Sequence, residues 1–169
     1  MDNNDQLLKY TIPQLLRWRV DKSPDNIALK EKDFGIWNSY TWKDYYDYVS
    51  KTALGLKKLG MKKSDTIGII SDNIPELLFC AIGAHSLGAI SAGIYQTSMP
   101  DEISQIIQYL KINFIFCDNQ EQVDKIIDVR DQIPNVRKVI FEDAPKEDYP
   151  EQKALKKVPG SEKPLQYPY

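Results

Sequence analysis

The chain has 169 residues, 42% of them hydrophobic and 27% charged, with a net charge of −2. That length suits about one domain with a real core. Lys and Arg are spread along it, which excludes the basic stripe of a nucleic-acid binder, and no apolar run approaches the roughly 20 residues of a membrane span.

In chain order, the first predicted helix is TIPQLLRWRV, residues 11–20, with Thr11 able to cap it and Pro13 in its first turn. Ile12, Leu15, Leu16 and Trp18 make its stripe. After the Ser23-Pro24-Asp25 break come two short strands, 27–31 and 36–40. The Asp33-Phe34-Gly35 turn joins them as a small hairpin near the N-terminus. TWKDYYDYVSKTALGLKKLG, residues 41–60, is the strongest helix. Thr41 and Asp44 have capping-box spacing, and Trp42, Tyr45, Tyr46, Val49, Ala53 and Leu56 recur at helical intervals. Gly60 ends it. The aromatic stripe reads as a packed core face.

From residue 66 the pattern alternates regularly. Strands are expected at 66–71, 89–94, 114–117 and 138–141, with helices at 75–87, 100–110 and 120–130 between them. Alternation at these lengths predicts an α/β fold with a mainly parallel sheet flanked by helices and right-handed crossovers. The short apolar strands should be covered on both faces. Residues 1–141 form this α/β unit. Residues 142–169 read as an irregular charged tail, carrying Pro145, Pro150, Pro159, Pro164 and Pro168 of the chain's ten prolines.

Ligands of parallel α/β sheets bind beyond the carboxyl ends of the strands. Three polar clusters fall there: Ser71-Asp72-Asn73, Tyr95-Gln96-Thr97-Ser98 and Asp118-Asn119. Each also precedes a predicted helix, and helix starts need such residues for their unpaired amides. Asn73 with Glu76, and Ser98 with Asp101, have the spacing of an N-cap and its partner; Asp118 or Asn119 can cap the third helix. Capping accounts for most of these residues, and Asp72 is left over. There is no GxGxxG and no GxxxxGK[ST]. Gly83 and Gly88 read as relief where helix meets sheet, with Gly88 also ending a helix. The lone His85 in FCAIGAHSLG reads as a packed residue, not a base. Cys80 and Cys117 sit among apolar neighbours, share no metal spacing, and read as reduced buried thiols of a cytoplasmic protein. Asp118 lacks the acidic pair and later lysine that a phospho-acceptor domain would want.

The ordered series of segments over residues 11–141 resembles the N-terminal part of the adenylate-forming acyl-CoA synthetases, especially the long-chain fatty acid type. It comprises Thr11, Ala28-Leu29 after Pro24, Tyr40-Thr41-Trp42, and Leu59-Gly60 with Lys63-Ser64-Asp65. It continues with Ser71, Asn73 and Glu76 in IISDNIPE, Leu87-Gly88-Ala89, and IYQTSMPDEI at 94–103. The family commonly has Gly-Asp where Ser64-Asp65 stands, and often an aromatic where Leu77 stands. The Ser/Thr/Gly-rich loop ending in Pro-Lys-Gly is not in the sequence, nor are the later adenylate-binding motifs and the adenylation lysine.

The resemblance implies a partial N-terminal subdomain of the adenylate-forming fold, an excised or truncated fragment of a longer ligase. The full-length enzyme it implies is an acid–thiol ligase that joins a fatty acid to CoA at the expense of ATP, with Mg²⁺. None of the family's catalytic positions maps here, so the segment is expected to be scaffold. Tyr95 and Thr97 are carried over as acyl-pocket lining. The implied partners are the fatty acid and the remainder of the full-length chain, and a fatty acid substrate suits peripheral contact with a membrane. Two other readings stay open: a free-standing flavodoxin-like ligand-binding domain, and a protein-interaction domain.

Overall fold

A computed structural model of the chain describes residues 8–33 and 35–141. Its elements run α1 (Ile12–Lys22), β1 (Ile27–Asp33), β2 (Ile36–Thr41), α2 (Trp42–Lys58), β3 (Thr66–Ile70) and α3 (Pro75–Ser86). They continue with β4 (Ile90–Ile94), α4 (Pro100–Tyr109), β5 (Phe114–Cys117), α5 (Gln120–Asp128), a 3-10 turn (Arg130–Gln132) and β6 (Lys138–Phe141). Every strand and helix read from periodicity is found, with ends displaced by at most two residues. The tail expected over 142–169 lies outside the described residues, as does Phe34 of the hairpin turn.

β3 to β6 form one parallel sheet in the order β4-β3-β5-β6. Ile67 faces Ser91 on one side and Phe114 on the other, and Phe114 in turn faces Lys138. The chain therefore steps one way from β3 to β4, then crosses back to lay down β5 and β6. Right-handed crossovers then place α3 on one face and α4 and α5 on the other. The packing follows. Ile70, Ile94, Ile103, Ile107, Ile115, Val123 and Ile126 form one buried cluster. Ile67, Ile69, Cys80, Ala84, Phe114 and Phe116 form the opposite one. Each buried Ile, Val or Phe side chain among them stabilises the fold by about 1.5–3 kcal/mol. β3 and β5 are buried throughout. β4 departs from the expectation that every strand is covered: Ile90 and Gly93 are exposed, and among the described residues β4 is an edge strand with a neighbour on one side only.

A further layer covers α3. α2 buries Tyr45, Val49 and Leu56, and Tyr45 and Val49 join Leu16, Phe79 and Ile82 in a third cluster. The ring of Tyr48 stacks on Phe79 with centroids 4.8 Å apart. The aromatic stripe is thus core packing, as its spacing predicts. Close approach of α2 and α3 depends on Gly83, where a Cβ would stand 3.1 Å from the Ala53 nitrogen. Gly83 relieves crowding between two helices, not between helix and sheet, because α2 covers the outer side of α3. Thr41 starts α2 with the expected reciprocal box. Asp44 N–H donates to Thr41 Oγ1 at 3.1 Å and Thr41 N–H to Asp44 Oδ2 at 2.9 Å. The Thr41 hydroxyl, donating to Asp44 Oδ2 at 2.6 Å, and then the Thr41 N–H hold the Asp44 carboxyl below the usual carboxylate range. The hairpin runs antiparallel, from Ile27 opposite Thr41 to Asp33 opposite Ile36.

Candidate functional site

The strand-order reversal lies between β3 and β5, and the polar residues beyond their carboxyl ends meet there. Asp118 follows β5 directly. Its Oδ2 accepts the Asp72 N–H at 2.6 Å and the Gln96 side-chain amide at 2.5 Å. One carboxylate therefore ties together the segments after β3, β4 and β5. Gln96 is held at a second point, where its carbonyl accepts from Lys125 Nζ at 2.5 Å. Lys125, on α5, also donates to Gln122 Oε1 at 3.2 Å and pairs with Glu121 at 3.0 Å. Asp118 Oδ1 is buried and makes no hydrogen bond among the described residues.

Asp72 contributes its backbone. Its N–H goes to Asp118, and its carbonyl accepts from Ser71 Oγ and from the Ile74 N–H, both at 2.9 Å. The capping pairs read from spacing are shifted at two of three helix starts. Ile74, not Asn73, occupies the N-cap of α3, and its side chain makes no cap bond. Asn73 falls one residue too early because Pro75 already opens the helix. At α4 the N-cap is Met99, whose N–H donates to Glu102 Oε2 at 3.0 Å, so the Ser98–Asp101 pairing gives way to one a residue later. At α5 Asn119 is the cap, accepting from Gln122 N–H at 3.2 Å. That frees Asp118 for its long-range role.

Glu76, expected as Asn73's partner, belongs elsewhere. It is half-buried, and burial, then the like charge of Glu31, push its carboxyl above the usual range despite its own backbone amide. Glu31 accepts from the Tyr40 hydroxyl at 3.1 Å. Burial first, and then this hydrogen bond, raise the Tyr40 phenol far above its ordinary value.

Tyr95 and Thr97 flank the clasped Gln96. Tyr95 is 84% exposed and Thr97 is also exposed. The structure gathers Gln96 inward and leaves its two neighbours at the rim. Lys125 escaped sequence reasoning, and Gln96 is read there only as a member of the polar cluster after β4; the sequence carries no signal for the bond between them. The Cys117 thiol is pushed well up by burial, then by Asp118, which makes it inert. His85 Nε2 lies 2.9 Å from Ser91 Oγ, as a packed and satisfied histidine does. Among the described residues no group of three or more His, Cys, Asp and Glu side chains could hold a metal ion. No described helix is long and apolar enough to cross a membrane.

Residues 16–167 match the model of the AMP-binding enzymes. The chain belongs to the AMP-binding enzyme family. It is 33% identical over 141 residues to the long-chain-fatty-acid–CoA ligase ACSBG2 of Xenopus laevis, covering 83% of this chain and 19% of that protein. The chain spans about one fifth of the length of the curated relatives it matches. Among solved structures, it superposes on the anthranilate CoA ligase AuaEII in complex with anthranoyl-AMP with a TM-score of 0.75 at 21% identity, covering 98% of this chain and 32% of that one. It superposes on the N-terminal domain of FACL13 from Mycobacterium tuberculosis with a TM-score of 0.72 at 21% identity, covering 92% and 38%. The parallel sheet flanked by helices is therefore that of the N-terminal subdomain of adenylate-forming enzymes.

Proposed function

We propose that residues 1–141 are the N-terminal scaffold of an ATP-dependent long-chain fatty acid–CoA ligase, with residues 142–169 leading into the remainder of that enzyme. The reaction is acid, ATP and CoA to acyl-CoA, AMP and pyrophosphate. The family match over 16–167, together with one-third identity to a long-chain ligase, carries the reading. ATP, CoA and Mg²⁺ belong to the whole enzyme. The described residues offer no metal-ligand group, and the sequence has no phosphate loop, so no step of the chemistry is assigned to them.

What this chain supplies is position. A rigid parallel sheet presents Tyr95 and Thr97 beyond β4, where side chains can line the tunnel that an acyl chain needs. The fatty acid and the rest of the ligase are the partners. Cys80 and Cys117, both buried thiols, suit a reducing cytoplasm and a role in lipid metabolism, with peripheral contact to a membrane as the source of the substrate. The flavodoxin-like alternative wants an open crevice at the strand-order reversal; here the 2.6 Å bond from Asp72 N–H to Asp118 bridges it.

The test is an ATP- and CoA-dependent thioester assay on two proteins. The purified chain should form no acyl-CoA. A chimera carrying residues 11–141 in place of the aligned segment of the Xenopus laevis ligase should form it from long-chain acids. Turnover by the chain alone refutes the scaffold role, and a folded chimera without turnover refutes the ligase reading.

A further inference from the structure

We propose that Asp118 and Lys125 are positioning residues that set the place of the Tyr95–Thr97 segment by gripping Gln96 from both sides. The substrate named for that segment rests on the ligase reading; the grip itself does not. The segment leaves β4 at Ile94 and must turn before α4 begins at Pro100. Within it, the backbone bond from Ser98 N–H to Tyr95 O, at 3.1 Å, makes one turn. Met99 N–H, donating to Glu102 Oε2 at 3.0 Å, ties its far end to α4, and between them Gln96 is held by two further bonds. Asp118 takes the side-chain amide and Lys125 takes the main-chain carbonyl, both at 2.5 Å. A residue held at both its side chain and its main chain cannot rotate about its backbone. The backbone positions of Tyr95 and Thr97, and so the directions of their Cα–Cβ bonds, are thereby fixed, although both residues are exposed.

Two features indicate that this grip does more than stabilise. Asp118 keeps a buried oxygen without a hydrogen-bond partner among the described residues, which is costly for a carboxylate. An apolar residue there would avoid that cost but could not join three strand ends. Lys125 is half-buried on α5 and fully engaged, with Gln96, Gln122 and Glu121 as partners. Gln122 is itself buried, at 1% exposure, so the cation is oriented from below. Asp118 in turn is anchored by the backbone, its N–H donating to Ile70 O at 3.2 Å. The chain of support thus runs from the buried sheet, through two charged side chains, to a loop that packing alone leaves loose. Such preorganisation is what a binding rim needs, because misplacement of lining groups by about 1 Å costs activity.

The experiment has two arms. In the 169-residue chain, amide hydrogen exchange is followed over residues 71–74 and 95–99 for the native sequence, Asp118→Ala, Lys125→Met and Lys125→Arg. Asp118→Ala should speed exchange about tenfold or more in both segments. Lys125→Met should do so in 95–99 only, and Lys125→Arg should restore protection because it keeps a cationic donor. Unchanged exchange in 95–99 for Asp118→Ala and Lys125→Met, with the fold intact by circular dichroism, overturns the grip. In the chimera, the same variants are assayed against acids of increasing chain length. Lys125→Met should raise KM for the acid about tenfold and flatten the chain-length preference, with kcat for ATP consumption little changed and Lys125→Arg close to native. A parallel fall in kcat for every acid, with KM unmoved, overturns the positioning role. A native chimera that makes no thioester counts against the ligase reading, while the exchange arm still decides the grip.

Discussion

At the amino end of the parallel sheet the connecting segments are fixed mainly by backbone geometry, with the Asp65 carboxylate and the Asn113 amide adding local bonds, whereas at the carboxyl end one side-chain carboxylate joins three of them. The amino end uses four left-handed residues, Gly60, Ser64, Gly88 and Lys111, to make tight turns. Main-chain bonds lace it: Ser64 N–H to Gly88 O, Ile90 N–H to Asp65 O and Asn113 N–H to Thr66 O, each at 2.9 Å. The carboxyl end has instead the Asp118 carboxylate, the Gln96 amide, the Lys125 ammonium, and the caps from Asn119 and Glu102. A backbone-built end tolerates little change of conformation. A side-chain-built end can be retuned one residue at a time while the sheet stays intact, which is where a scaffold can carry specificity.

This contrast can be broken hardest at the amino end. Ile112 is fully buried and would meet a Cβ at Gly68 at 3.0 Å. Ile112→Ala should cost about 2–5 kcal/mol in urea unfolding. It should unfold the molecule as a unit, whereas Asp118→Ala opens only the loops. A cost for Ile112→Ala of under about 1 kcal/mol would mean that the two ends do not differ in this way. Next in size is Gly88→Ala. Gly88 has φ +75 and its absent Cβ would lie 3.1 Å from Lys63 Cγ, so the alanine variant should lose about 1–2 kcal/mol and melt several degrees lower.

Two smaller changes should stabilise, one at each end. Ser64 has φ +70, at a position where the resembling family commonly has glycine. Ser64→Gly should gain about 0.5–1 kcal/mol, the relief of a strained L-residue less the extra freedom of the unfolded glycine; an unchanged melting temperature would show that the turn is not strained. At the carboxyl end Glu76 titrates above its ordinary value of 4.5 because of burial and Glu31. The folded state thus holds that proton more tightly than the unfolded chain does. Stability from this group is present at low pH and is lost as pH rises through the folded value. Glu76→Gln should therefore unfold at higher urea than the native chain at pH 7, with the gap closing toward about pH 4. A gap independent of pH would assign the gain to packing and not to charge.

Much of this molecule is legible in its sequence because much of it is local. The helical stripe of α2, the Thr41–Asp44 box, the Gly60 and Gly88 terminations and the alternating strands all depend on residues within about four positions of one another. The capping pairs at α3 and α4 misread by one residue for the same reason seen from the other side. Pro75 and Pro100 fix where each helix opens, and spacing alone cannot say whether a nearby polar residue faces the amides or another element. Glu76 shows this directly, since Glu31, a residue of the hairpin, helps decide its environment.

The sequence by itself determined the elements, their order, the α/β class and the family resemblance. The tertiary structure alone decided the strand order β4-β3-β5-β6, and with it which strand ends became neighbours. Asp118 lies 46 residues from Asp72 and 22 from Gln96, and Lys125 lies 29 from Gln96. No periodicity reaches that far. Contacts at such separation exist because the chain reverses its direction of travel between β4 and β5, bringing three loops to one point where a single carboxylate can satisfy donors from two of them.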